Sequence, residues 1–221
     1  QAIMQLQREP TGLLRVSSPI EFGQLFLGGV VGEFMRSYPA IQVEVELTTR
    51  TVDPVEEGVD VVIHLGRPQD SSLVARRLMT SPRQLYASPD YIQRYGMPQT
   101  PDELTGHRCI HALVDGARKW RFDQPAASVP INPVLVVNNI TFAREAALAG
   151  VGIINVPAFI AEPCVEAGTL VRVLEQAELP SSELYAMYPS RRFQAMKVKA
   201  FIDFVVEQLH LRSSSHIEVE A

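Results

Sequence analysis

The sequence has 221 residues, of which 20 are Lys or Arg and 25 are Asp or Glu, so its formal charge at pH 7 is −5. A chain with this acidic balance is not expected to present the basic face that binding to nucleic-acid phosphates requires. Its hydrophobic content of 46% is enough to bury a core, which excludes the disordered and fibrous classes. The length suits one large or two small domains.

The N-terminal sequence QAIMQLQREPTGLLRV lacks the basic, apolar and small-residue parts of a signal peptide. No stretch reaches the ~18 apolar residues that a transmembrane helix needs. Cys109 and Cys164 lie far apart and form no CxxC motif, so they do not indicate a disulfide framework. We therefore expect a cytoplasmic chain that makes no contact with a membrane and has two inert thiols.

Strand and helix patterns alternate from the start of the chain, which is typical of an α/β fold with a largely parallel sheet. Residues 13–17 predict a strand, and Ser18-Pro19-Ile20-Glu21 then has the pattern of a capping box that begins a helix. Pro39 ends that helix. Residues 41–47 alternate between apolar and polar side chains, which predicts a strand at a sheet edge or an interface.

Further helix starts share one pattern, in which a capping side chain precedes proline and acidic residues occupy the first turn. They stand at Asp53, Ser88 and Thr100, and the strands predicted between them cover 59–65, 73–78 and 83–87.

A second βαβ unit is predicted farther along the chain. Residues 134–137 form a β-branched run, Asn138 and Asn139 begin a helix through Ala149 that Gly150 ends, and 151–156 is the next strand. The last helix covers 194–211, and 213–221 has the character of a tail.

These patterns occur in stretches that resemble the C-terminal effector-binding domain of LysR-type transcriptional regulators, in order and over nearly the whole chain. The stretches are LLRVSSPIEFG (13–23), YPAIQVEVELTTRTVDPVEEGVDVVIHLG (38–66), DSSLVARRL (70–78), ASPDYIQRYGMPQTPDELTGHRCI (87–110), AREAALAGVGIINVP (143–157), AGTLVRVL (167–174) and the segment 187–209.

The resemblance implies a fold similar to type 2 periplasmic binding proteins, with two α/β lobes, two crossover strands and a small effector held between the lobes. Residues 12–82 and 188–212 would form lobe I, 88–182 would form lobe II, and 83–87 and 183–187 would be the crossover hinge strands. Residues 1–11 would be the end of a linker helix.

The resemblance also implies that DNA is bound only through an N-terminal helix-turn-helix domain that this chain lacks. It implies a homodimer of the present domain, in which the helix 20–38 and the strand 41–47 pair with a second subunit. A homotetramer is expected at full length.

Two predicted helix starts follow strands directly, at Ser17/Ser18 and at Asn138/Asn139. Helix N-termini bind anions through backbone N–H groups and the helix dipole. We therefore predict that a small carboxylate-bearing effector, an organic acid, binds these residues. The alternative is that all four side chains only cap helices.

Strand ends supply further candidate contacts at Thr49, Arg50, His64 and Arg67. LysR-type regulators often carry an acidic residue at the position of Thr49 and an arginine at that of His64, so the ligand preference here can differ. The alternatives are a core histidine for His64 and surface charges for Arg50 and Arg67. Apolar walls are predicted from two further residues, Phe22 and Pro157.

Metal, redox and catalytic sites find little support in the sequence. His107, Cys109 and His111 alternate along one strand face, but a fourth ligand at suitable spacing is missing. No GxSxG, HExxH, P-loop or dinucleotide-binding motif occurs, so we expect neither an enzyme nor a cofactor. The competing interpretations are a periplasmic solute-binding protein of a transporter and an enzyme built on the same scaffold.

Overall fold

A computed structural model describes residues 9–67, 73–112, 118–190, 195–212 and 218–219. The chain divides into two compact units, and the division falls between Met79 and Thr80 and again between Ser182 and Glu183. Unit 1 contains the residues before the first division and those of the last long helix, and unit 2 contains Thr80–Ser182. Among the described residues, no helix is long and apolar enough to span a membrane.

The elements of the first part of the chain are β1 (Gly12–Ser18), α1 (Ile20–Phe22), a π-helical stretch (Gly23–Leu27), α2 (Gly28–Ser37), β2 (Ile41–Leu47), β3 (Val61–Leu65) and β4 (Leu73–Ala87). They are followed by α3 (Pro89–Tyr95), a 3-10 helix (Pro101–Gly106), β5 (Cys109–Ala112), β6 (Lys119–Phe122), β7 (Ala127–Pro130) and β8 (Pro133–Val137). The last elements are α4 (Ile140–Leu148), β9 (Ile153–Pro157), α5 (Ala158–Glu166), β10 (Val171–Val173), β11 (Leu179–Pro189), α6 (Met196–Arg212) and β12 (Glu218–Val219).

The sheet of unit 1 has the strand order β2-β1-β3-β11. Strand β1 is parallel to both of its neighbours, with Ser17 opposite Glu46 on β2 and opposite Val62 on β3. Strand β11 is antiparallel to β3 and places Tyr185 opposite His64. The carboxyl ends of β1, β2 and β3 therefore share one edge of this sheet.

A part-buried ion pair and an aromatic contact hold α6 in unit 1. Lys197 Nζ donates to Asp60 Oδ2 at 2.8 Å and also to the carbonyl oxygen of Leu13. The same carboxylate oxygen accepts from the backbone N–H of Arg15 at 3.0 Å, so Asp60 joins β1 to α6. Farther along the helix, the Phe201 ring packs edge-on against the buried Phe34 ring, with 5.2 Å between the ring centroids.

The sheet of unit 2 has the strand order β4-β9-β5-β8, with β10 paired to β4. Strand β5 is parallel to β8 and β9, whereas β4 is antiparallel to β9. A separate hairpin joins β6 and β7. The carboxyl ends of β5, β8 and β9 therefore share one edge of the sheet of unit 2.

One buried carboxylate of unit 2 is fully engaged. Glu162 on α5 accepts from the Tyr86 hydroxyl at 2.8 Å and from Arg172 Nε at 3.0 Å and Nη2 at 2.5 Å. Burial, together with the bond to Glu162, raises the pKa of the Tyr86 hydroxyl.

Two predicted helix starts are confirmed by side-chain caps. Ser88 Oγ accepts from the backbone N–H of Tyr91 at 3.2 Å, and Asn139 Oδ1 accepts from that of Phe142 at 2.7 Å. The helix that Asn139 begins ends as predicted before Gly150, whose φ is +76°.

Other local predictions are wrong. Ser18 forms no capping box, because Pro19 is the N-cap and the Ser18 hydroxyl donates to the Pro19 carbonyl at 3.1 Å. Asp53 caps one turn only, through bonds from the N–H groups of Val55 and Glu56. The separate strands predicted at 73–78 and 83–87 form the single strand β4.

Two further differences concern helices. Thr100 precedes a 3-10 helix and gives it no side-chain cap, because its hydroxyl donates to Glu103 instead. The predicted helix after Ser18 contains a π-helical stretch between α1 and α2.

The close approach of Gly152 to a neighbouring carbonyl predicts a large cost for adding a side chain there. A Cβ at this position would lie 2.5 Å from the backbone oxygen of Arg108, which accepts from the N–H of Ile153. We expect Gly152→Ala to lower the free energy of unfolding by about 1–3 kcal/mol, the scale of overpacking, in urea denaturation.

Gly32→Ala is the matched control, since a Cβ on that exposed glycine of α2 meets nothing within 4 Å. It should raise stability by about 0.5–1 kcal/mol through helix propensity. Equal destabilisation by the two substitutions would contradict the packing argument.

Candidate functional site

The carboxyl edge of the sheet of unit 1 gathers most of the predicted contacts. Ser17 and Ser18 end β1, the central strand of the three parallel ones, and both are 1% exposed. The carbonyl oxygen of Ser18 accepts from the N–H of Thr48, which fixes the end of β2 against the end of β1. His64 lies near the end of β3.

Ser17 is a buried residue at this edge whose hydroxyl is not engaged by another described side chain or backbone group. Its hydroxyl makes no hydrogen bond within the described part of the chain, whereas the Ser18 hydroxyl donates to the Pro19 carbonyl. The Ser17 oxygen is not one of the described side-chain atoms that are fully buried without a partner, so it stays accessible to solvent or to a ligand. Ser17 is therefore suited to bind a ligand, and Ser18 is already engaged.

The helical segment begins directly after these serines. The first backbone bond that closes a turn runs from Gly23 N to the Pro19 carbonyl at 2.9 Å. The N–H groups of Ile20 and Phe22 precede that bond, and such groups at a helix start favour anions. The Phe22 ring is 2% exposed and packs 5.1 Å from the Phe26 ring, so it forms part of the core beneath this edge.

The half-buried His64 side chain has a defined hydrogen-bonding role. Its Nδ1 lies 3.1 Å from the carbonyl oxygen of Gly66. A carbonyl oxygen only accepts, so Nδ1 carries a proton in this bond. In neutral His64, Nε2 is left as an acceptor, and this placement is that of a bonded side chain at a strand end.

Arg50 is exposed and held by two carboxylates. Its guanidinium donates to both oxygens of Glu57, at 2.8 and 2.7 Å, and to Glu46 at 3.0 Å. The hydrogen bonds that Arg50 donates to Glu57 and Glu46 raise the pKa of its guanidinium, and the bond to Glu57 lowers the pKa of the Glu57 carboxyl. An anionic ligand would compete with both acids for this charge.

Thr49 and Arg67 lie farther out on the surface. Both residues are exposed, Thr49 just beyond β2 and Arg67 directly after Gly66. Unit 1 therefore brings Ser17, Ser18 and His64 to one sheet edge, with the two exposed residues beside it.

The remaining predicted contacts share the carboxyl edge of the sheet of unit 2. Asn138 follows β8 and is exposed, while the side chain of Asn139 is occupied by its cap. Pro157 is buried at the end of β9 and is the N-cap residue of α5.

Two residues of unit 2 join these candidates although the sequence did not single them out. Thr141 Oγ1 is buried in the first turn of α4 and has no hydrogen-bond partner in the part of the chain that the structure describes. Arg83, opposite Pro157 in the β4–β9 pair, donates to Asn155 Oδ1 at 2.9 Å and to the Asn155 carbonyl at 2.6 Å. Thr141 could have been found from the sequence, because it follows the predicted helix start at Asn139. Arg83 could not, because its position depends on the pairing of β4 with β9.

His107 and Cys109, two residues considered for a metal site, lie against other residues of unit 2. His107 Nδ1 lies 3.0 Å from the Tyr91 hydroxyl, and burial raises the pKa of the Cys109 thiol to about 12. Cys109 and Cys164 are both free cysteines. Across the described residues, no cluster of three or more His, Cys, Asp or Glu side chains could hold a metal ion.

Comparison with known proteins identifies a family and several relatives that this chain resembles. The family model described as the LysR substrate binding domain matches residues 7–210. An HTH-type transcriptional regulator of Xanthomonas campestris is 34% identical over 95% of the chain and 63% of its own length. The regulator PtxR of Pseudomonas aeruginosa is 31% identical over 94% of the chain, which spans 67% of that relative.

Among solved structures, the regulatory domain of CrgA, a LysR-type transcriptional regulator from Neisseria meningitidis, is similar. It is 28% identical, with a TM-score of 0.82 over 90% of this chain and 100% of that chain. This match confirms the predicted α/β fold of the type 2 periplasmic-binding-protein kind. The relatives are regulators, which does not favour a solute-binding protein of a transporter.

Asn138 and Asn139 are adjacent, but only Asn139 caps α4, so they form a matched pair for a stability measurement. We expect Asn139→Ala to lower the free energy of unfolding by about 1 kcal/mol, the typical value of a helix cap, as measured by urea denaturation without ligand. Asn138→Ala should change it by less than about 0.5 kcal/mol because that side chain is exposed. The reverse order would show that the cap is assigned to the wrong residue.

Proposed function

The chain belongs to the family of LysR substrate-binding domains, and we propose that its effector is a small carboxylate bound through Ser17. The observation that carries this proposal is the Ser17 hydroxyl, which belongs to a residue that is 1% exposed and has no hydrogen-bond partner within the described part of the chain. It lies close in sequence to the N–H groups at the start of the first helix. A hydroxyl and backbone N–H groups can all donate to a carboxylate oxygen.

His64 extends this site on the neighbouring strand. With Nδ1 bonded to Gly66, its Nε2 accepts from a hydroxyl of the effector when the ring is neutral and donates to a carboxylate when the ring is charged. Arg50 contributes less, because Glu57 and Glu46 already share its charge. In unit 1 the proposed contacts are completed by Ser18, Phe22, Thr49 and Arg67.

In unit 2 the proposed effector contacts are Asn138, Asn139 and Pro157. Thr141 joins them because its buried hydroxyl lacks a partner in the described part of the chain. These side chains add amide and hydroxyl groups, which suits a polar, hydrogen-bonding ligand in preference to a purely apolar one.

We propose further that the whole protein binds DNA. Its relatives are named HTH-type transcriptional regulators, and the chain spans about two thirds of their length. In this proposal the DNA-binding helix-turn-helix lies outside these residues, the protein acts in the cytoplasm, and effector binding changes the geometry of an oligomer on DNA without turnover.

A homodimer of this domain is proposed through β2 and α2. Strand β2 ends the sheet order of unit 1, and its Val45 and Leu47 are 41% and 38% exposed. Met35 on α2 is 42% exposed. An edge strand beside exposed apolar side chains is a surface that a second copy can cover. A tetramer is proposed for the full-length protein.

The effector proposal is tested by thermal denaturation with a panel of small aliphatic and aromatic acids. A bound acid at 100 times its Kd should stabilise the chain by about 2.7 kcal/mol. Ser17→Ala should lose most of this shift and leave the melting temperature without ligand nearly unchanged, because it removes a hydroxyl without an internal partner. Ser37→Ala, at an exposed position of α2, is the matched control and should retain the shift.

Two results would contradict the effector proposal. One is stabilisation by neutral or cationic compounds alone. The other is an equal response of Ser17→Ala and the unaltered chain to every acid that binds.

The dimer proposal is tested by sedimentation equilibrium at micromolar concentration. The unaltered chain should be a dimer, and Val45→Glu should weaken it about tenfold or more, because the proposed interface would bury the new charge. Val55→Glu, at a turn residue that is 65% exposed, should remain a dimer. A monomeric unaltered chain, or equal weakening by both variants, would show that β2 is not the interface.

A further inference from the structure

A groove of about 630 Å³ runs along one face of α6 in unit 1. Its volume lies within the range of about 300–1,000 Å³ that is usual for small-molecule pockets. Helix α6 lines it with residues four apart, such as Lys199 and Asp203, which therefore share a face. Tyr38, after α2, and Glu9, before β1, line it as well.

Two aromatic rings give this groove a firm wall. Tyr38 and Phe204 both line it, and both pack against the buried Phe34 ring. The ring centroids are 4.8 Å apart for Phe34 and Tyr38 and 5.5 Å apart for Phe34 and Phe204. Because Tyr38 and Phe204 are only half-buried, they are open to a ligand. Aromatic faces of this kind attract cations and apolar groups.

The charge of the groove is negative. Three carboxylates and one ammonium line it. Asp203 is already bonded to Lys199 at 2.6 Å and to Arg76 at 2.7 Å. Glu9 and Glu207 have no ion pair within the described part of the chain, so they remain as the free carboxylates of the groove.

The groove is separate from the proposed effector site. Glu9 precedes the amino end of β1, whereas Ser17 lies near its carboxyl end. A seven-residue strand at about 3.3 Å per residue spans roughly 20 Å, so the two places lie toward opposite edges of the sheet of unit 1. The acids of the groove also repel the carboxylates proposed for the effector site.

We propose that this groove binds an amphipathic organic cation, a protonated amine attached to an aromatic or apolar body. The ammonium lies between Glu9 and Glu207, and the apolar body packs against Tyr38 and Phe204. Because Glu9 and Pro10 line the groove just before β1 begins, a bound molecule contacts both α6 and the segment that leads into β1.

The probe is phenethylammonium, titrated into the isotopically labelled 221-residue chain and followed by NMR. 2-Phenylethanol keeps the ring without the charge, and phenylacetate reverses the charge. The ammonium should bind about five- to tenfold more tightly than the alcohol, and phenylacetate should bind the groove more weakly than either. The amide signals that shift should be those of Tyr38 and of α6 from Lys199 to Glu207.

Glu9→Gln and Glu207→Gln should each raise the Kd of phenethylammonium about two- to fivefold, the scale of an exposed ion pair. Glu166→Gln, an exposed acid of unit 2, is the matched control and should leave the Kd unchanged. Ser17→Ala should also leave it unchanged, so the two ligand proposals can fail independently. Equal binding of the ammonium and the alcohol, shifts confined to other residues, or unchanged affinity in both groove variants would overturn the proposal.

Discussion

The parallel pairing of β1 with β2 and β3 is the constraint on which the candidate effector site depends. Parallel neighbours need a crossover connection, and the helical segment after Ser18 provides the one between β1 and β2. Because the three strands run in one direction, Ser17 and His64 reach the same sheet edge. Asp60 stabilises this arrangement by accepting from the N–H of Arg15 and from Lys197, which joins β1 to α6. A one-residue register slip would turn Ser17 to the opposite face.

Much of this architecture could be predicted because it is local in the sequence. Alternating side chains gave the bounds of β2 correctly, and the caps at Ser88 and Asn139 follow from short side chains that reach backbone N–H groups within one turn. The strand and helix order also places Ser17 and Asn138 directly after strands. Candidate residues at strand ends can therefore be predicted from pattern alone.

What could not be predicted depends on contacts between distant parts of the chain or on competition between local bonds. The Ser18 hydroxyl donates to the Pro19 carbonyl instead of capping the helix. The residue types alone do not distinguish between these two bonds. Arg50 has the pattern of an anion-binding residue, yet Glu57 lies within reach only after the turn at Asp53 has formed. The groove along α6 likewise needs Glu9 and Glu207, which are far apart in sequence, to line one surface.

The central claim is that the effector carboxylate binds at Ser17, and NMR mapping of the labelled chain with the most stabilising acid of the panel tests it most directly. We expect the largest amide shifts at Ser17, Ile20 and Phe22, with smaller ones at Thr48 and His64, and we expect Ser17→Ala to abolish them at the same acid concentration. Shifts that leave the carboxyl edge of β1 unchanged, or that persist fully in Ser17→Ala, would contradict the claim.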